Sequence, residues 1–246
     1  MRPYEPIREI KFAARSGFLT RKLCDKYFSY GTTDWKNKLW ARLLTREYFK
    51  NHYSRLAPHV LVLNRKNDFV RKLVGEYISS PPFISQLDHD EIVAEIVLWL
   101  FENGIISDYK FEIELKKDYL SPDRHYGSET KSKFPDAIIR LRDKKETKIA
   151  MELELTKKDP KRYRNIMEAY SSMKGVDKVV FIGRNDSLCL TIRKAMRESY
   201  YPDWEKPVGF GSLNDWLENP SQAPIAFSEE TLSLISMAKS ENRTSS

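Results

Sequence analysis

Apolar positions recur at helical spacing through the first third of the chain. Pro6 suits a first helical turn, Ile7, Ile10 and Ala14 follow on one face, and Gly17 stops the run. Thr20 predicts an N-cap for a helix over 21–28 with Leu23, Cys24 and Tyr27 turned inward, and Gly31 makes the next turn. Thr33 then caps a longer helix whose apolar stripe is Trp35, Leu39, Leu43 and Leu44. Val60–Leu63 alternates too little for a half-buried strand and suits a short strand followed by a turn at Asn64-Arg65-Lys66-Asn67. Ser79-Ser80-Pro81-Pro82 cannot continue a helix, because proline lacks the donor and restricts the residue before it.

Beyond that break the period changes. Asp90–Asn103 is a helix that is apolar nearly all round, with Asp88 or His89 near its start and Gly104 past its end, so it predicts a buried element. Glu91 and Glu95 are its exceptions, one turn apart. Strands follow over Tyr109–Leu115 and Phe134–Leu141, separated by a long loop over Lys117–Lys133. A charged turn, Arg142–Lys148, leads into a strand over Ile149–Thr156. Helix Pro160–Met173, strand Lys178–Gly183, helix Ser187–Ser199 and a last strand Pro207–Gly211 complete the order. The expected class is therefore α/β (α+β). An amino-terminal winged helix-turn-helix over residues 1–80, its wing turning at 64–67, precedes a mixed-sheet domain over 81–237 and a flexible tail over 238–246.

Charge sharpens the division. Residues 1–80 carry 17 Lys and Arg against 7 Asp and Glu; with +7 for the whole chain, the remainder is about −3. A basic module beside a mildly acidic one predicts a polyanion-binding half, and double-stranded DNA is the expected partner. On the third helix Lys36, Asn37, Lys38, Arg42 and Arg46 are the candidate contacts to bases and phosphates, and Arg65 and Lys66 are those of the wing. The alternative is a solvated cationic face that only keeps the protein in solution. The longest apolar stretch, Ile92–Phe101, is about half of a bilayer span, so no membrane segment is expected. With no apolar leader after Met1 and two well-separated cysteines, Cys24 and Cys189, the expected compartment is a reducing cytoplasm.

The strand over 149–156 carries the chemistry. Period two puts Glu152 and Glu154 on one face, roughly 7 Å apart. Such a pair repels unless a cation or solvent intervenes. Asp136, after Pro135 on the neighbouring hairpin strand, falls beside them. Three carboxylates on paired strands form an expected site for Mg²⁺ or Mn²⁺, which favour hard oxygen ligands. The bland alternative is a solvent-facing sheet edge with ordinary surface glutamates. His52, His59, His89 and His125 form no paired motif, and no Walker loop or Gly-x-Ser-x-Gly elbow is present.

Pro135-Asp136 followed by Glu152-x-Glu154 resembles the PD-(D/E)xK nuclease superfamily. Together with the basic helix around Arg42, Leu87-Asp88-His89 opening a helix, and Arg162-Tyr163 with Tyr170, the chain resembles the replication-relaxation proteins and MobC-type plasmid mobilisation relaxases. The resemblance implies a site-specific, relaxase-like DNA endonuclease, nicking one strand at a plasmid transfer origin. An accessory mobilisation protein and a coupling protein would be its partners. It implies Asp136 and Glu152 as metal ligands, with Glu95 as the helix carboxylate. Glu154 stands where many superfamily members have lysine, and Lys157, Lys158 or Lys148 would have to replace it. Asp136, Glu152, Glu154 and Lys157 are thus the expected catalytic set. Tyr163 and Tyr170, seven apart on one helix, either pack over the sheet, position the strand or act as nucleophile. Two rival functions remain: a DNA-binding regulator with an inactive nuclease fold, and a transposon or defence endonuclease.

Overall fold

A computed structural model of the protein describes residues 5–29, 31–53, 57, 59–75, 78–119, 133–171, 173–198, 206–228 and 230–240. It is a mixed α/β molecule whose contacts divide it into two compact units, Met1–Glu95 and Ile96–Ser246. That division falls inside a helix, fifteen residues beyond the expected break at 80.

In the first unit the order is α1 (Ile7–Ser16), β1 (Leu19–Thr20), α2 (Arg21–Leu23), α3 (Thr33–Thr45), β2 (Phe49–Asn51), β3 (Val60–Leu63) and α4 (Asp68–Val74). Helix α2 runs on as a single π turn, Cys24–Phe28. The three strands form an antiparallel sheet in the order β1-β3-β2. Its centre, Val60–Leu63, is buried throughout, which is why that run does not alternate. Thr20 caps α2 as expected, accepting from the Leu23 amide at 3.2 Å. The cap of α3 is Thr32 rather than Thr33, accepting from the Trp35 amide at 3.4 Å. Leu39 and Leu43 face inward, whereas Trp35 is 40% exposed and leaves the stripe. The turn at 64–67 does not join two strands. It leads from β3 into α4, and Asn67 caps that helix through Val70 N–H at 3.2 Å. The connection between paired strands β2 and β3 is residues 52–59. Residues 78–80 are a strap: Ser79 N–H donates to Ala14 O and Ser79 Oγ to Arg15 O, both at 2.8 Å.

Helix α5 (Leu87–Glu102) crosses the division, buried along Val93, Ala94, Ile96, Val97, Leu98 and Leu100. The second unit continues with β4 (Ile106–Phe111), α6 (Glu112–Tyr119), β5 (Ala137–Leu141), β6 (Lys148–Glu154), α7 (Pro160–Ser171), β7 (Lys178–Gly183), α8 (Asp186–Glu198) and β8 (Val208–Ser212). The strand expected to reach Leu115 stops at Phe111, and the first residues of the expected long loop belong to α6. Residues 120–132, including His125, lie outside the described residues. After β8 the chain does not end its sheet, as expected, but adds α9 (Leu213–Glu218), β9 (Ile225–Ala226), β10 (Thr231–Leu232) and α10 (Leu234–Ser240). Helix α10 therefore takes in the start of the expected tail.

The seven strands run β10-β9-β8-β7-β6-β5-β4. Strands β4-β5-β6 are antiparallel, β5 and β6 joined by a short turn over 142–147, while the α7 and α8 crossovers make β6-β7-β8 parallel. On one face, Ala150, Val179 and Phe181 pack against Tyr163, Ile166 and Tyr170 of α7 and Ile192 of α8. Cys24 and Cys189 are both free thiols, one buried in each unit. Among the described residues no helix is long and apolar enough to cross a membrane.

Gly17 ends α1 at φ +86, and a Cβ there would collide with the Ser80 carbonyl oxygen of the strap. Alanine at a left-handed position costs about 1–2 kcal/mol before any collision. Gly17→Ala should therefore destabilise the first unit by at least about 2 kcal/mol and strip protection from the Ser79 amide. Urea unfolding with hydrogen exchange measures both, and an unaltered Ser79 amide would refute the strap.

Candidate active site

Strand β6 lies inside the sheet, antiparallel to β5 on one side and parallel to β7 on the other. Both its faces are covered, as parallel strands require. Glu152 and Glu154 are accordingly buried, at 1% and 0% exposure, and the solvent-facing edge is excluded. Desolvating two carboxylates is costly unless charge and hydrogen bonds replace water.

The replacements come from three neighbouring segments. Lys133 Nζ sits 2.7 Å from Glu152 Oε1, and the Tyr170 hydroxyl donates to Glu152 Oε2 at 2.6 Å. Lys158 Nζ donates to Glu154 Oε1 at 2.6 Å, and Lys158 N–H donates to the Tyr163 hydroxyl oxygen at 3.1 Å. Leu153 N–H donates to Asp136 Oδ2 at 2.7 Å, tying the start of β5 to β6. The register pairs Ala137 with Met151 and Phe111 with Ala137. One step beyond the last paired residues of these ladders, Glu112 at the start of α6 and Asp136 just before β5 fall in line with Glu152 of β6, and Glu112 N–H donates to Asp136 O at 2.9 Å.

The electrostatics follow from this packing. Burial, then the charge of Asp136, pushes the Glu152 carboxyl up to about 7, against the pull of Lys133 and Tyr170. Burial also raises Glu154, opposed by Lys158. For Lys133, burial favours the neutral amine, but Glu152, Asp136 and Glu112 outweigh it and hold the ammonium above its ordinary value. Burial and the adjacent Glu152 raise the Tyr170 phenol well above 10. Tyr163 and Tyr170 are each fully buried and hydrogen-bonded beneath α7.

Asp136 and Glu152 thus lie beside one another with Tyr170, while Glu154, two residues on, turns to Lys158 near Tyr163. Lys157 does not join these groups: it is exposed, and Lys158 reaches Glu154 instead. Lys148 lies at the far end of β6, paired in register with Arg140. Glu95 belongs to the first unit, where Lys22 and Lys26 each approach one of its oxygens at 2.6 Å. Burial raises that carboxyl, but the two lysines outweigh it and hold it below its ordinary value. Sequence reasoning missed Lys133, inside the expected loop, and Glu112, inside the expected longer strand; only the register aligns Glu112 with Asp136.

The donor set suits a hard divalent cation in its chemistry. Glu154 Oε2 is buried and has no hydrogen-bond partner among the described residues. Also among the described residues, no group of three or more acidic, histidine or cysteine side chains is placed to hold a metal ion. Lys133 and Lys158 supply the positive charge that balances these acids.

On the first unit, α3 carries Asn37, Lys38 and Arg46 exposed and Lys36 and Arg42 half-buried. Several are already engaged. Asn37 Oδ1 accepts from Arg21 at 2.6 Å, Arg21 also binds Asp25 at 2.8 Å, and Lys38 pairs with Asp34 at 2.5 Å. The Arg65 guanidinium donates to Ile78 O at 3.1 Å, so it braces the strap rather than a wing tip. Lys66 is exposed beside it.

No family model, curated protein or solved structure matches the chain.

The raised Glu152 carboxyl fixes a pH dependence. A glutamate protonating near 4.5 when unfolded and near 7 when folded stabilises the fold fully below pH 4.5. That contribution is lost as pH rises through 7. The stability of the parent relative to Glu152→Gln should fall between pH 4.5 and pH 8, as measured by denaturant titration at both ends. A difference independent of pH would show that Glu152 titrates alike in the folded and unfolded chain.

Proposed function

We propose that this protein is a metal-dependent DNA-nicking endonuclease in which the first unit holds duplex DNA and the second cuts one strand. The observation that carries the reading is the buried cluster on paired strands: Asp136 beside Glu152, Glu154 two residues on, and Lys133 and Lys158 among them. The order α5, β4, α6, β5, β6, α7, β7, with β4-β5-β6 antiparallel and β7 parallel to β6, supports the PD-(D/E)xK resemblance apart from the inserted α6. For the first unit, support comes from the helices α1 to α4 interleaved with the antiparallel sheet β1-β3-β2, an order compatible with a winged helix. Action at a plasmid transfer origin, with accessory and coupling partners, rests on the resemblance alone.

Asp136, Glu152 and Glu154 would hold Mg²⁺ or Mn²⁺, which when bound polarises a phosphodiester and eases ionisation of water. The chain's own groups do the rest. Tyr170 fixes the orientation of Glu152 through Oε2, and Lys133 holds Oε1. Lys158, six residues after Glu152 where the superfamily lysine stands two after it, would supply the ammonium from beside Glu154. Its positive charge favours the build-up of negative charge on a phosphate. Fully buried phenols with raised pKa are poor nucleophiles, so Tyr163 and Tyr170 act as supports and water is the attacker.

A second reading has its own observation. Both Glu152 oxygens are already held by protein groups, as suits a nuclease fold retained only for DNA binding. Supercoiled plasmid incubated with Mg²⁺ or Mn²⁺ decides between them. The nuclease reading expects nicking that Asp136→Ala or Glu152→Ala abolishes while duplex binding stays within a few-fold. Lys158→Ala should slow nicking by about 10²-fold or more and Lys157→Ala far less. A parent protein that binds duplex but never nicks would establish the regulator.

The basic helix makes a separate expectation. Each neutralised phosphate contributes about −0.9 to the slope of log K against log salt. Replacing Arg42 and Arg46 by alanine should flatten the slope by about 1–2, as read by fluorescence anisotropy across a salt series. An unchanged slope would remove α3 from the interface.

A further inference from the structure

A cavity of about 370 Å³ opens on the sheet face that also carries the Glu112–Asp136–Glu152 row. Its floor includes Phe134, Ile138 and Met173. Phe134 and Ile138 flank Asp136 at two residues on either side, so the cavity begins roughly 7 Å from the carboxylates along the strand. The volume lies in the range of small-ligand sites, which combine apolar walls with a few placed charges.

The charges around it are mostly positive. Lys110 is neutralised by Asp118 at 2.5 Å, and Arg140 is shared between Glu146 at 3.4 Å and Asp108 at 3.9 Å. Lys148 and Lys174 also line the cavity, and neither pairs with an acid among the described residues. Lys174 lies in the turn after α7 next to Gly175, which has φ +75 and where a Cβ would lie 3.8 Å from Lys148 Nζ. Two unpaired ammonium groups beside an apolar, partly aromatic floor match the chemistry of a nucleotide: a phosphate for the lysines, a flat base for Phe134 and its neighbours. A stacked, paired base cannot enter so narrow a recess without leaving its helix.

We propose that this cavity receives one unpaired nucleotide of the DNA strand cut at the neighbouring carboxylates, its phosphate on Lys148 and Lys174 and its base on Phe134, Ile138 and Met173. The inference rests on the nuclease reading and adds the substrate class: a strand that is single or locally opened beside the cut, rather than continuous duplex.

The full chain is tested without metal by anisotropy with a labelled oligothymidylate, and by photocrosslinking to a bromodeoxyuridine-substituted single strand with peptide mapping. Binding is expected, with crosslinks in the peptide holding Phe134. Lys148→Ala/Lys174→Ala should weaken it by about tenfold and flatten its salt slope by about 0.7 per lost phosphate contact. Circular dichroism of the double variant checks that it folds, and Phe134→Leu, which keeps an apolar floor but no ring, should weaken binding in a separate arm. Crosslinks confined to Met1–Glu95, or a folded double variant that binds like the parent, would overturn the proposal. So would a parent that does not bind the oligothymidylate. The plasmid assay keeps the two readings apart. Crosslinking at Phe134 without nicking under Mg²⁺ or Mn²⁺ would sink the nuclease and leave the cavity. Nicking that the double variant performs equally well on duplex would do the reverse.

Discussion

Two carboxylates buried on an inner strand set the terms for everything around them. Hydrophobic burial can place Met151 and Leu153, but Glu152 and Glu154 need cations and donors brought to them through the backbone of other segments. Lys133 comes from just ahead of β5, Lys158 from the turn after β6 and Tyr170 from the far end of α7. The same short contacts therefore tie the hairpin, the crossover turn and the covering helix to one point. A change in any of these segments reaches the acids, which is how a site can be held to sub-ångström order by parts remote in sequence.

Much of this was legible before any coordinates. Gly17, Thr20 and Gly104 mark element ends because their chemistry is local, and the buried helix around Val93–Leu100 announces itself by lacking a polar face. The juxtaposition of Asp136 with Glu152 followed from a hairpin and a period of two. Register was the hidden variable. Glu112 joins the row because Phe111 pairs with Ala137, a register that the run of residues 109–115 alone does not announce. Lys133 was lost to an apparent loop, since an ammonium's long stem lets it act far from its backbone. The choice between Lys157 and Lys158 is likewise a matter of which way the chain turns after β6. Glu95 is ambiguous for a simpler reason: a lone acid on an apolar helix signals a partner without naming it, and the structure brings Lys22 and Lys26 to it.

The first unit shows how a basic surface is graded. Arg21 braces Asn37, lies over the Trp40 ring at 5.5 Å and binds Asp25, so part of the α3 face is already ordered. Arg65 spends its guanidinium on the strap. What remains available is a smaller set than the count of 17 cations suggests; on α3 and the turn after β3 it includes Arg46 and Lys66, both exposed, with Lys36 and Arg42 half-buried. Preordered side chains lose less entropy when they meet a partner, so fixed polar groups favour geometry over sheer charge.

The two thiols give the molecule built-in clocks. Burial, then the charges of Glu9 and Asp25, pushes the Cys24 thiol up to about 12, and Cys189 donates to the Gly211 carbonyl at 3.2 Å while packing against Gly183. Neither sulfur can react with an alkylating agent until its surroundings open. One belongs to the first unit and the other to the second. Their separate labelling rates therefore time the transient opening of each half in one unmodified sample, and comparing them reports whether the halves unfold in concert or by turns.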